Sequence, residues 1–151
     1  MNCIHLATAL VRRADAVLLV ASMYPNHERA LWNMPGGRQQ AGELLTQTVV
    51  RELSEETGIV GTVCELCYVS ESYDGATHFT NFTFAVDAVG EPAKPYAEGD
   101  HIVEASWVSI EELGERITVP VVRDPLLGFL SGSLPRYAGY AEAGVTIEFP
   151  D

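Results

Sequence analysis

Apolar and polar positions alternate along this chain with periods that change from segment to segment. "CIHLATALVRR" and "AVLLVASM" are apolar and partly β-branched, with the turn-like "ADA" between them, so two strands are predicted. The second run is apolar on both faces, which predicts a central strand. "YPNHERALWNMPGG" reads as a loop with a short extended piece around residues 31–34, closed by Pro35-Gly36-Gly37. Residues 43–57 then hold neither Pro nor Gly, and Gly58 follows where a left-handed cap is expected, so a helix is predicted. At about 100° per residue, Thr46, Val49, Val50, Leu53 and Thr57 share one arc, the expected buried face.

Beyond Gly58 the period returns to two. "IVGTVCELCYVSESY" and "THFTNFTFAVDAV" predict a long strand pair; in the second, Phe82, Phe84, Val86 and Ala88 alternate with Asn81, Thr83 and Asp87. A polar loop, "GEPAKPYAEGD", precedes another strand, "HIVEASWVS", and a short helix, "IEELGE". "VPVVRDPLLGFLSG" predicts a second helix that starts near Pro120 and is disturbed by Pro125, and "VTIEF" suggests a final edge strand. The expected fold is a single α/β domain over residues 1–151, a curved mixed sheet with a helix packed on either side.

Composition narrows the function. The longest charge-free apolar run, around residues 16–23, falls far short of the roughly 20 residues needed to span a bilayer. Arg12 and Arg13 follow the first apolar run instead of preceding it, an order unsuited to a signal peptide, so a cytoplasmic location is expected. The net charge of −12, with no basic stripe, disfavours long nucleic acids as partners. A small phosphorylated ligand remains compatible, provided divalent cations neutralise both it and an acidic pocket. "CELC" (Cys64 and Cys67) lacks the second pair a zinc site needs, and three cysteines do not suggest a disulfide framework; ordinary buried or half-buried thiols are expected.

The helix also concentrates acid. With Glu52 at zero on the wheel, Glu56 lies about 40° to one side and Glu55 about 60° to the other, beside the buried face. Carboxylates crowded there raise one another's pKa unless a cation compensates. Hard oxygen donors at this density suit Mg²⁺ or Mn²⁺, and Arg51 reaches Glu55 at i+4. A solvated acidic face is the competing reading of the three glutamates taken alone.

The surrounding residues decide between them. Gly37, five residues, Glu43, seven residues, then Arg51-Glu52-Leu53-Ser54-Glu55-Glu56-Thr57-Gly58-Ile59 resembles the Nudix box at every defined position, and "LWNMPGG" is similar to the family's approach to it. The resemblance implies the Nudix fold, an α/β/α sandwich, and metal-dependent hydrolysis of a nucleoside diphosphate linked to a group X. It implies Mg²⁺ or Mn²⁺ on Glu52, Glu55 and Glu56 with a carbonyl of Gly36 or Gly37. Glu52 is implied as a possible base, Arg51 as orienting a catalytic carboxylate and Glu43 as bracing the loop–helix geometry. Some family members recruit a distant acid; Glu98 is the choice here, with Asp100 and Glu104 as alternatives. Trp32 and Tyr73, drawn from a wider set of loop aromatics that includes Tyr24, Phe79 and Tyr96, are candidate substrate contacts, as is Arg38. His27, His78 and His101 read as surface or core residues. A homodimer is plausible by the same resemblance. Competing readings are a non-catalytic nucleotide-sensing module, an isomerase on a related fold, and RNA decapping, the last opposed by the charge.

Overall fold

A computed structural model of the chain describes residues 2–93 and 101–145. The first apolar runs form β1 (Asn2–Leu10), the short β2 (Arg12–Arg13) and β3 (Ala16–Ser22). Two three-residue strands follow, β4 (Leu31–Asn33) and β5 (Gly36–Arg38), and then helix α1 (Leu45–Thr57). The long pair is β6 (Gly61–Asp74) and β7 (Thr77–Ala88), and β8 (Ile102–Ser109) runs into a 3₁₀ turn at Ile110–Glu112 and the one-turn α2 (Leu113–Arg116). Helix α3 (Pro120–Ser131) and β9 (Tyr137–Tyr140) complete the described elements.

The strands hydrogen-bond as two groups. One runs β5-β1-β7-β6-β9, with β1/β7 and β6/β9 parallel and the other pairs antiparallel. In the other, β3 pairs β8 along its length and takes β2 and β4 at opposite ends. Adjacent residues of β1 and β3 enter opposite cores. Ala7, Ala9, Val11 and Leu18 join Val49 and Leu53 of α1, while Leu10, Val17 and Leu19 join Leu113 of α2 and Leu126 of α3. This period-two division buries strands on both faces between helices. It is the α/β/α arrangement expected.

Several boundaries differ from the sequence pattern for local reasons. Helix α1 begins at Leu45 instead of residue 43, because the Leu44 N–H donates to Gln47 Oε1 at 2.8 Å and Glu43 sits in a turn closed by its N–H on the Gln40 carbonyl at 3.1 Å. Gly58 caps the helix at φ 79°, its N–H on the Ser54 carbonyl. Thr46 is exposed, whereas Thr48 and Glu56 are buried, each with a hydrogen-bond partner inside the fold. Gly36–Arg38, expected as loop, is a strand because its backbone pairs with Leu6–Thr8. α3 passes through a buried Pro125 without ending. The strand expected from "VTIEF" lies almost wholly outside the described residues.

The β6/β7 register slips twice, at Cys64 and at Cys67, so each cysteine is the extra residue of a bulge. Both are free; Cys64 is exposed and Cys67 buried, and burial pushes the Cys67 thiol up. Among the described residues no helix is long and apolar enough to cross a membrane.

Candidate active site

The site forms where β5 lies between β1 and α1. Both glycines of β5 answer to space. A Cβ on Gly36 would lie 2.4 Å from the Ala7 carbonyl oxygen and 2.6 Å from Thr8 Cγ2. A Cβ on Gly37 would lie 2.5 Å from Cδ and Oε1 of Glu52. Only residues without side chains let the strand pass this close to β1 and to a carboxylate. The Gly36 N–H donates to Glu56 Oε1 at 2.8 Å, which satisfies a carboxylate that is only 5% exposed.

Arg51 organises the remaining acids. Its Nε donates to Glu43 Oε2 at 2.7 Å and its Nη2 to Glu43 Oε1 at 3.1 Å, a bidentate pair across the turn before the helix. Its Nη1 donates to Glu52 at 2.9 Å and to Glu55 at 3.2 Å, and Nη2 also reaches the Arg38 carbonyl at 3.1 Å. The i+4 pair was legible in the sequence; the links to Glu43 and Glu52 needed the folded turn. Hydrogen bonds from Arg51 and then Thr48 hold the Glu43 carboxyl at about 2, below its ordinary 4.5. The same pairing raises the Arg51 guanidinium.

A depressed carboxylate stabilises the fold fully above its unfolded pKa and loses that contribution as pH falls through the folded value. For Glu43 the window runs from pH 4.5 down to about 2. Thermal melts of Glu43→Gln across that window should show a shallower acid limb than the parent; superimposable limbs would contradict the pairing.

Glu52, Glu55 and Glu56 open with Gly36 and Gly37 onto one cavity of about 730 Å³. Its far wall is the inner face of β1, β6 and β7, and valines near the start of α3 close one side. Arg38 lines it; Trp32 and Tyr73 do not. Trp32 packs on the core beneath the Arg116 guanidinium, 4.7 Å from its ring centre. Tyr73 stacks on His78, ring centres 4.4 Å apart and planes 4° apart, and His78 Nε2 sits 2.7 Å from Glu71. Tyr24, Phe79 and His101 also line the cavity, with Tyr24 and His101 rings 5.0 Å apart. Glu104 is exposed on β8, and Glu98, Asp100 and Tyr96 lie outside the described residues. Sequence reasoning missed Ser70, Ser72 and Thr8 on the cavity wall, where small polar residues within strands carry no motif.

The donors at the acidic end are all oxygen, which fits a hard divalent cation and not a soft one. One oxygen each of Glu52 and Glu55 accepts from Arg51, and one of Glu56 accepts from the Gly36 N–H. Among the described residues no three acidic, histidine or cysteine side chains already converge on one point.

Residues 4–127 match the family model described as NUDIX domain. "Phosphatase NudJ" of Escherichia coli strain K12 is 31% identical over 132 residues, spanning 85% of this chain and 84% of that protein. Among solved structures, a NUDIX hydrolase from Nitrosomonas europaea superposes with a TM-score of 0.76 at 26% identity, covering 90% of this chain and 93% of the other. The E. coli ORF135 protein superposes with a TM-score of 0.73 at 26% identity, covering 87% and 91%.

Proposed function

We propose, from the premise that this chain belongs to the Nudix hydrolase family, that it cleaves the diphosphate of a small nucleoside diphosphate linked to a group X. Water adds across the bridge: its oxygen joins one phosphorus, the bridging oxygen leaves on the other, and one proton is released. The observation that carries this reading is a single cavity in which Glu52, Glu55 and Glu56 face the backbone of Gly36 and Gly37. Nudix hydrolases use divalent metal ions, and we assign Mg²⁺ or Mn²⁺ to Glu52, Glu55, Glu56 and a carbonyl of Gly36 or Gly37. Bound there, the ion supplies charge neutralisation on the diphosphate and a lowered pKa for water.

The chain's own residues do the rest. Glu52 accepts the proton of the attacking water, a role worth about 10²–10⁴-fold in rate. Arg51 sets the rotamers of Glu52 and Glu55 through its two Nη1 hydrogen bonds, and Glu43 fixes Arg51 from the other side. Arg38 at the cavity wall meets substrate phosphate or sugar. Glu98 is retained as an auxiliary acid.

The relatives' name, phosphatase, favours a second reading in which a terminal phosphate is the group released. One experiment separates the two. Incubate the protein with Mg²⁺ and a panel of nucleoside di- and triphosphates, nucleotide sugars and dinucleoside polyphosphates, and identify the products. From a triphosphate or an X-linked diphosphate, nucleoside monophosphate with pyrophosphate or X-phosphate supports the first reading; nucleoside diphosphate with orthophosphate from a triphosphate supports the second. Glu55→Gln and Glu56→Gln should each lose more than about tenfold. Parental rates in both would refute the assignment.

A further inference from the structure

The cavity wall opposite the acidic end carries hydrogen-bonding groups that the hydrolytic chemistry does not use. Ser70 and Ser72 sit two residues apart on the inner face of β6, 6% and 8% exposed, and line the cavity. Their hydroxyls make no hydrogen bond among the described residues. Across the strand, Ser70 is paired with Asn81 and Ser72 with Phe79, both cavity residues, so all four share one face.

Asn81 is held by its neighbours on that face. Its Nδ2 donates to Thr8 Oγ1 at 3.3 Å and to Thr83 Oγ1 at 3.2 Å, and these two hydroxyls lie 2.8 Å apart. With the nitrogen engaged, Oδ1 is left buried and without a partner among the described residues. A buried, unmet acceptor is destabilising, and such a group is retained where a ligand donor meets it. None of these residues is ionisable, and Phe79 adds an aromatic edge beside them. That combination suits an uncharged heteroaromatic ring with N–H donors, which pairs through its edge and packs through its face.

We propose that Ser70, Ser72 and Asn81 form the element that reads the nucleobase of the substrate, with Phe79 packing beside the ring. The inference rests on the hydrolase reading above and deepens it by assigning base specificity to the β6–β7 face, away from the carboxylates.

Binding tests it independently of turnover. Adenosine, guanosine, cytidine and uridine 5′-monophosphates, with ribose 5-phosphate as the ring-less control, are titrated calorimetrically into the parent, Asn81→Leu and Ser70→Ala/Ser72→Ala. The parent should bind at least one base about tenfold or more tighter than ribose 5-phosphate, the scale of one or two well-made hydrogen bonds. Both variants should lose that preference while their affinity for ribose 5-phosphate stays within about threefold. Should Asn81→Leu fail to fold without its bonds to the two threonines, the serine pair carries the same test. A folded variant that keeps the parental preference overturns the inference, as does a parent with no preference for a base. A parent that shows the preference but hydrolyses nothing on the nucleotide panel leaves the reading element standing and removes the hydrolase assignment instead.

Discussion

Replacing Gly37 with alanine is expected to leave a folded protein whose kcat has fallen about a hundredfold or more. The new Cβ would sit 2.5 Å from Glu52 Cδ and Oε1 and 2.9 Å from Oε2, far inside contact distance. What stands in its way is the end of a flexible side chain, so the clash is relieved by swinging the Glu52 carboxylate aside, with little cost to the fold. That motion breaks the 2.9 Å hydrogen bond from Arg51 and moves the proposed base. Displacements of about 1 Å at a reacting group cost on the order of 10²-fold. Thermal melts and steady-state kinetics check the two halves together. A melting temperature near the parent's with a kcat within threefold of it would contradict the role given to Glu52.

Gly36→Ala should do the reverse and strike stability first. Its Cβ would meet the Ala7 carbonyl oxygen at 2.4 Å and Thr8 Cα at 2.8 Å, both backbone atoms of β1. β1 lies between β5 and β7 and cannot retreat without disturbing nine register pairs to β7. The yielding element is β5, which would lose its pairing to β1 and the Gly36 N–H bond that satisfies buried Glu56. Overpacking of this kind costs roughly 1–3 kcal/mol, and the upper end is expected because backbone has to move. In a protein of this length that lowers the melting temperature by about 6–12 °C. Differential scanning calorimetry decides it; a shift under 2 °C would mean that β5 is not held as described.

The contrast between these adjacent glycines shows where sequence reasoning reached and where it stopped. Glutamates a turn apart share an arc of any helix, and the resemblance to the Nudix box, with its glycine at fixed spacing, singled out the candidate site. The Gly58 cap and the two N-terminal strands were equally readable, because a left-handed cap and an unbroken apolar run are local signals. β5 was not readable: glycine has no side chain to carry a period, and the strand exists through backbone bonds to residues thirty positions away. Nor was Glu43's position outside the helix, which depends on Gln47 capping Leu44. The cavity wall was hidden for another reason. Asn81 and Thr83 occupy the polar positions of an alternating strand, a pattern that usually marks a solvated face, yet Thr83 is fully buried and Asn81 lines the cavity. Trp32 and Tyr73 show the converse, aromatic residues near loops whose rings are engaged by Arg116 and His78. β9 escaped notice because four residues of mixed polarity gain strand form only by pairing with β6.

The proposed hydrolysis turns on Glu52, Glu55 and Glu56 together binding a divalent cation at the acidic end of the cavity. Calorimetric titration of Mn²⁺ into the parent, Glu56→Gln and the Glu52→Gln/Glu55→Gln pair tests it most directly, with a non-hydrolysable nucleoside diphosphate analogue present. Saturable binding to the parent is expected, with at least about a tenfold loss of affinity in each variant. Mn²⁺ binding that is absent from the parent, or equally tight in the substituted proteins, would contradict it.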